Sequence, residues 1–69
     1  MKALKINQSK DPNMWYAMFI GMIVPYEGSD DEVFWSREVL GYLNIVKRED
    51  AEVVEVSLTQ PFYKAQILD

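Results

Sequence analysis

The chain has 69 residues, a length that predicts one domain with one thin core. Its net charge is −4 at pH 7, whereas proteins that bind duplex nucleic acid gain affinity by neutralising phosphates with basic side chains. The chain has no cysteine and no histidine, which excludes disulfides, thiolate metal sites and the usual general base near neutral pH. We therefore expect a protein that is not an enzyme, carries no metal or other cofactor and does not bind nucleic acid.

The absence of cysteine also bears on the compartment. A small domain without disulfides is typical of a reducing environment, so we expect a cytoplasmic protein. No apolar signal core follows Met1, so no secretory signal is predicted. The longest uncharged apolar run, from Met14 to Val24, is far shorter than the ~20 residues of a membrane span, which predicts buried core and no membrane contact.

The first predicted strand runs from Lys2 to Ile6, where polar and apolar residues alternate. After a polar loop, Asp11 followed by proline is typical of a helix start. Two interpretations stay open, a single helical turn or a longer helix from Pro12 to Ile20 that ends at Gly21. We favour the single turn within a long loop, because the next segment has the composition of a strand.

Four further strands are predicted from β-branched and aromatic residues. Pro25 has no amide hydrogen and indicates the end or the edge of its strand. The four consecutive charged residues from Lys47 to Asp50 interrupt the strand pattern and fit one 3₁₀ turn. The four strands are Ile20 to Tyr26, Glu32 to Arg37, Tyr42 to Val46 and Ala51 to Val56.

An acidic turn is predicted between the second and third strands, with Gly28 free to adopt a positive φ. Its carboxylates either form a solvated turn tip, which we favour, or bind a cation through oxygen ligands. The spacing of a twelve-residue calcium loop is missing. The carboxylates are Glu27, Asp30, Asp31 and Glu32.

Five short strands separated by turn signals predict an all-β domain, a small barrel or sandwich. The long first loop, the tight acidic hairpin and the one-turn 3₁₀ helix before the last strand resemble an SH3-like barrel, and Gly41 to Val54 carries most of this resemblance. The resemblance implies a barrel over residues 1–56. Residues 57–69 would be a C-terminal tail that docks on the barrel or on a partner, with homo-oligomer formation through the tail as an alternative; whether the tail is a helix, a strand or neither stays open.

The span from Asp11 to Val54 is also similar to small uncharacterised proteins of Gram-positive bacteria and their phages. The shared features are Asp-Pro-x-Met-Trp-Tyr, Ile-Gly, aromatic-Trp-x-Arg-Glu and Gly-Tyr-Leu-Asn-Ile-Val. This resemblance transfers no activity and no site residue. It implies a phage or prophage accessory protein that modulates a host factor.

Aromatic residues supply the candidate site. Two tryptophans, four tyrosines and three phenylalanines exceed what one thin core can bury, so an exposed aromatic patch is expected. Such patches are typical of protein-binding surfaces. In SH3 domains they line a groove for proline-rich peptides, but this chain lacks the acidic first loop of those domains. The predicted anchors are Trp15, Tyr16, Trp35 and Tyr42, and the predicted charged rim is Asp30, Asp31 and Glu32.

The sequence also offers functions other than protein binding. A small barrel can bind single-stranded nucleic acid by stacking bases on aromatic rings. The acidic turn and a second acidic cluster, if they shared one face, would imitate DNA phosphates; that cluster is Glu49, Asp50, Glu52 and Glu55. Acid–base pairs such as Glu38 with Tyr42 or Glu32 with Ser36 lack both an orienting residue and a pocket, which disfavours catalysis.

Overall fold

The computed structural model describes residues 1–57, which form six β-strands and two 3₁₀ turns. The all-β prediction is confirmed, including the 3₁₀ turn directly before the last strand. None of the helical turns in these residues has the length or hydropathy to cross a membrane. The predicted tail lies outside the described residues except for Ser57. The strands are β1 (Lys2–Ile6), β2 (Ile23–Pro25), β3 (Gly28–Ser29), β4 (Val33–Arg37), β5 (Leu43–Lys47) and β6 (Ala51–Glu55), and the 3₁₀ turns are Ala17–Phe19 and Arg48–Asp50.

The strands form two antiparallel three-stranded sheets. The first sheet has the order β2-β1-β6 and the second has the order β3-β4-β5. β1 is central in the first sheet, where Leu4 lies opposite both Val24 and Val53. A hydrogen bond links the sheets, because the Ser36 hydroxyl on β4 donates to the carbonyl oxygen of Pro25 on β2 at 2.6 Å.

Side chains from both sheets and from the first loop form one core. On β4 the alternation is clear, since Phe34 and Ser36 are buried while Trp35 between them is partly exposed. Burying one large aliphatic or aromatic side chain contributes roughly 1.5–3 kcal/mol, so this cluster is the main stabilising element. Its members are Leu4, Ile6, Tyr16, Val24, Phe34, Val46 and Ala51.

The long loop, residues 7–22, contains no α-helix. Asp11 does not cap a helix; its carboxylate oxygen Oδ1 accepts the Asn13 amide at 2.9 Å and closes a local turn. The regular turn comes later, at Ala17–Phe19. The favoured interpretation, a short turn inside a long loop, is therefore correct in kind but places the turn a few residues too early.

The second strand is shorter than predicted, since it begins at Ile23 and not at Ile20. Gly21 has a φ of 86°, and its amide donates to the carbonyl of Ile6 at 2.7 Å. The chain therefore turns at Gly21 before it enters β2. Ile20 and Met22 lie on this turn with exposed side chains, so the prediction that the strand begins at Ile20 is wrong.

Candidate interaction surface

Trp35 and Asp30, two of the predicted site residues, lie close together at the end of the second sheet. Asp30 begins the turn into β4, and its Oδ1 accepts the amides of Glu32 at 2.8 Å and Val33 at 3.0 Å. These two bonds, and after them the Trp35 side chain and the Arg48 guanidinium, hold the pKa of Asp30 below its ordinary value. The carboxylate therefore stays charged beside the outward-facing indole.

Asp31 and Glu32 complete the acidic turn with exposed side chains, as the charged rim requires. Glu27 lies further back and pairs with Arg37 at 3.5 Å. Within residues 1–57, no three carboxylates or other ligating side chains come close enough to hold a metal ion. The arrangement suits long-range attraction of a positively charged surface.

The most exposed apolar side chains of the second sheet lie at its opposite end, in the turn between β4 and β5 and at the first residue of β5. Leu40 is 83% exposed, Tyr42 is 66% exposed and Leu43 is 52% exposed. We call these three residues the turn patch. Of these three residues, only Tyr42 was predicted from the sequence to lie at the surface. The available signal for the others was a pair of leucines on either side of Gly41 and Tyr42 in a segment too short to be buried.

The turn patch stands on a well-bonded turn. The Glu38 amide donates to the carbonyl of Tyr42 and the Gly41 amide donates to the carbonyl of Glu38, both at 2.8 Å. Arg37 Nη1 donates to the carbonyl of Gly41 at 3.0 Å, and Asn44 Nδ2 donates to Glu38 Oε2 at 2.6 Å. The apolar side chains are therefore presented on a fixed backbone, which lowers the entropy lost on binding.

Trp15 is half-buried at the edge of the second sheet. Its indole Nε1 donates to the carbonyl of Ile45 on β5 at 2.7 Å. Its ring packs on Tyr16 edge to face, with 5.7 Å between centroids, and lies 6.3 Å from Phe19. Trp15 therefore mainly stabilises the fold, and only part of its side chain is accessible to a partner.

Tyr16 is fully buried, so the prediction that it anchors a partner at the surface is wrong. Its hydroxyl donates to Asp50 Oδ2 and accepts the amide of Lys47 at 3.4 Å. Burial, and then the bond to Asp50, raise the pKa of Tyr16 well above its ordinary value. The physical reason for the error is that this hydroxyl has a partner 34 residues away in sequence.

Asp50 is the buried acid that sequence analysis grouped with exposed carboxylates. Its backbone carbonyl accepts the amides of Asn7 at 2.8 Å and Gln8 at 3.2 Å. Its Oδ2 accepts the Tyr16 hydroxyl, and its Oδ1 accepts no hydrogen bond from the described residues. Asp50 therefore ties the start of the long loop to the turn before β6.

The two acidic clusters do not form one row of charge. Asp50 is buried, Glu49 pairs with Lys10 at 3.0 Å, and Glu52 accepts a bond from Asn7. Arg48 lies between the clusters, where its Nη1 donates to the carbonyl of Asp30 at 3.0 Å. The geometry gives no continuous imitation of a DNA backbone.

In each acid–base pair considered from the sequence, one member forms a hydrogen bond with a different residue. Ser36 is buried and bonded to Pro25, and Glu38 accepts the Asn44 amide. No pocket is present in the part of the chain that the structure describes.

A second exposed apolar group, the loop patch, consists of Met18, Ile20 and Met22 in the long loop. Met18, at 78%, is nearly as exposed as Leu40. No acidic side chain lies between Met18 and Met22.

Comparisons of the chain with protein-family models, with curated proteins and with solved structures found no match.

Proposed function

We propose that this chain is a non-enzymatic protein-interaction domain that binds its partner through the turn patch and the outer face of the second sheet. The observation that carries the proposal is the exposure of Leu40, Tyr42 and Leu43 together on one bonded turn. Tyrosine is enriched at binding hot spots, and exposed apolar side chains grouped together mark interaction sites. Trp35 on the same sheet adds a second aromatic side chain.

The charged rim favours a partner with positive charge near its binding site. Asp30, Asp31 and Glu32 lie at the opposite end of β4 from the turn patch, and the pKa of Asp30 is lowered. Rim charges mainly steer association and change its salt dependence. We expect a partner with an apolar site flanked by basic residues.

The wider setting is proposed on the resemblances. The two sheets and the 3₁₀ turn before β6 are compatible with an SH3-like barrel. The resemblance to small phage-type proteins favours an accessory protein of a phage or prophage, working in the cytoplasm on a host factor.

The test compares two matched double variants. The immobilised chain is incubated with lysate of a Gram-positive bacterium, and captured proteins are identified and then titrated in purified form. We expect Tyr42→Ala/Leu43→Ala to abolish binding and Met18→Ala/Ile20→Ala to preserve it, because each pair removes two exposed apolar side chains but only the first alters the turn patch. Equal losses in both variants, or binding that survives the first, would contradict the proposal.

A salt series tests the rim separately. Asp31→Asn/Glu32→Gln is expected to slow association of the purified partner at low salt and to leave dissociation unchanged. A partner that binds the neutralised chain as fast at low salt would show that the rim takes no part.

A further inference from the structure

The outer edge of β5 has no neighbouring strand within residues 1–57. Ser36 lies opposite Asn44, and the bond from the Glu38 amide to the Tyr42 carbonyl continues the same ladder. In an antiparallel pair the bonded positions alternate, so the backbone groups of the residues between them point away from β4. Ile45 and Lys47 therefore present amides and carbonyls on the free edge.

Side chains of this chain already form hydrogen bonds with these backbone groups. Trp15 Nε1 donates to the Ile45 carbonyl at 2.7 Å, and Asn44 Oδ1 accepts the Ile45 amide at 2.7 Å. The Tyr16 hydroxyl accepts the Lys47 amide at the longer distance of 3.4 Å. An added strand would bond to the same backbone groups, so the indole and the carboxamide take the places of its amide and carbonyl.

We propose that the β5 edge is a self-recognition surface for a second copy of this chain, and that Trp15 and Asn44 keep it closed. This inference is independent of the proposed function.

The sequence of β5 is complementary to itself in one register. Antiparallel pairing centred on Ile45 places Ile45 opposite its own copy, Asn44 opposite Val46, and Leu43 opposite Lys47. No like charges face each other in this register, and the aliphatic side chains meet on one face. A second copy is therefore the occupant that the edge itself favours.

The β6 edge does not offer the same complementarity. The Val56 amide donates to the Met1 carbonyl, so by alternation the backbone groups of Val53 and Glu55 point outward. Pairing two copies of β6 about Val53 places Glu52 opposite Val54 of the second copy and Glu55 opposite Ala51, so the two Glu52 side chains lie on one face as diagonal neighbours. Repulsion between these two carboxylates opposes that pairing, whereas the β5 register brings no like charges together as direct or diagonal neighbours.

The experiment first removes the side-chain hydrogen bonds to the Ile45 backbone and then tests the pairing register of the two β5 strands. Trp15→Leu keeps an apolar side chain against the core but neither reaches nor bonds the Ile45 carbonyl, and Asn44→Ala frees the Ile45 amide. We expect Trp15→Leu/Asn44→Ala in the full chain to dimerise at least tenfold more tightly than the unchanged chain, measured by sedimentation equilibrium, with circular dichroism confirming that it is folded.

Leu43 provides the matched pair of charge variants. In the opened background, Leu43→Lys places a positive charge opposite Lys47 of the second copy and is expected to weaken the dimer at least tenfold. Leu43→Glu places a negative charge there and is expected to strengthen it. A folded variant that stays monomeric, or a dimer that responds equally to both charges, overturns the proposal.

A variant with the indole in place keeps the test decisive if Trp15→Leu prevents folding. Asn44→Ala alone opens half of the edge, and it is expected to dimerise weakly, with Leu43→Glu tighter than Leu43→Lys in that background. Equal association of these two variants would overturn the proposal by itself.

Discussion

The strands β5 and β6 both lie at sheet edges, yet their edges are protected by different means. On β5, the backbone of Ile45 and Lys47 is covered by Trp15, Tyr16 and Asn44. On β6, exposed glutamates flank the outward backbone and repel another strand. The difference shows that the long loop is a structural part of the second sheet, because two of its aromatic side chains complete hydrogen bonds that the sheet leaves open.

Tyr16→Phe is expected to break the β5 arrangement most severely. It leaves both oxygens of the buried Asp50 carboxyl without a hydrogen bond from the described residues, and it frees the Lys47 amide. An unsatisfied buried group of this kind costs roughly 3 kcal/mol, read as the free energy of unfolding in urea. Tyr42→Phe, at an exposed position, is the control and is expected to change little; a Tyr16→Phe cost below that of the control would rule out the buried pair as a stabilising contact.

Trp15→Phe is expected to have the next largest effect. It removes the donor to the Ile45 carbonyl and part of the packing on Tyr16, at a cost of roughly 2 kcal/mol. Trp35→Phe is the matched control, because the Trp35 indole faces an exposed carboxylate and contributes less.

Hydrogen exchange of the two indole N–H groups provides a second measurement in the unchanged chain. The indole N–H proton of Trp15 is expected to exchange more slowly than that of Trp35. The reverse order would show that the Trp15 bond to β5 is open in solution.

Alkaline pH is expected to weaken the contact between Tyr16 and Asp50 beside the β5 edge. Burial and the bond to Asp50 raise the pKa of Tyr16 in the folded chain, while the unfolded chain keeps the ordinary value of about 10. A raised folded pKa gives a stability contribution that is complete below about pH 10 and is lost as the pH rises above it. We expect the unfolding free energy to fall more steeply above pH 10 in the unchanged chain than in Tyr16→Phe; parallel curves would contradict this assignment.

Neutralising the β6 edge should give the smallest change in stability. Glu52→Gln/Glu55→Gln alters only exposed contacts to Asn7 and to the amino terminus, which are worth about 1 kcal/mol or less together. Its expected effect is on association, since it removes the charge that keeps two β6 edges apart. Sedimentation at rising protein concentration checks this, and an unchanged chain that associates equally would show that the glutamates do not protect the edge.

Local sequence patterns predicted most strands well, and the errors fall where the chain turns. Alternation located β1 without error, β-branched and aromatic residues located β4 and β6 to within one residue, and the charged run located the turn at Arg48–Asp50. The pattern failed between Ile20 and Met22, because an apolar run has the same composition whether it enters a sheet or turns at a glycine. The two-residue β3 was missed because its pairing with β4 is set by the hairpin and not by its own residues.

The candidate site divides in the same way. Sequence alone indicated that aromatic side chains exceed the core and that an acidic turn precedes β4, and it identified Tyr42 as a surface residue. It did not identify Leu40 and Leu43 as its neighbours on the surface.

The sequence by itself determined the all-β class, the order of the main strands and the charged turn before β6, because these depend on the period and propensity of neighbouring residues. Only the tertiary structure decided that Tyr16 is buried against Asp50 and that Trp15 bonds the edge of β5. The physical reason is that each of these contacts joins residues at least 30 positions apart, so neither partner carries a local pattern that reveals the other.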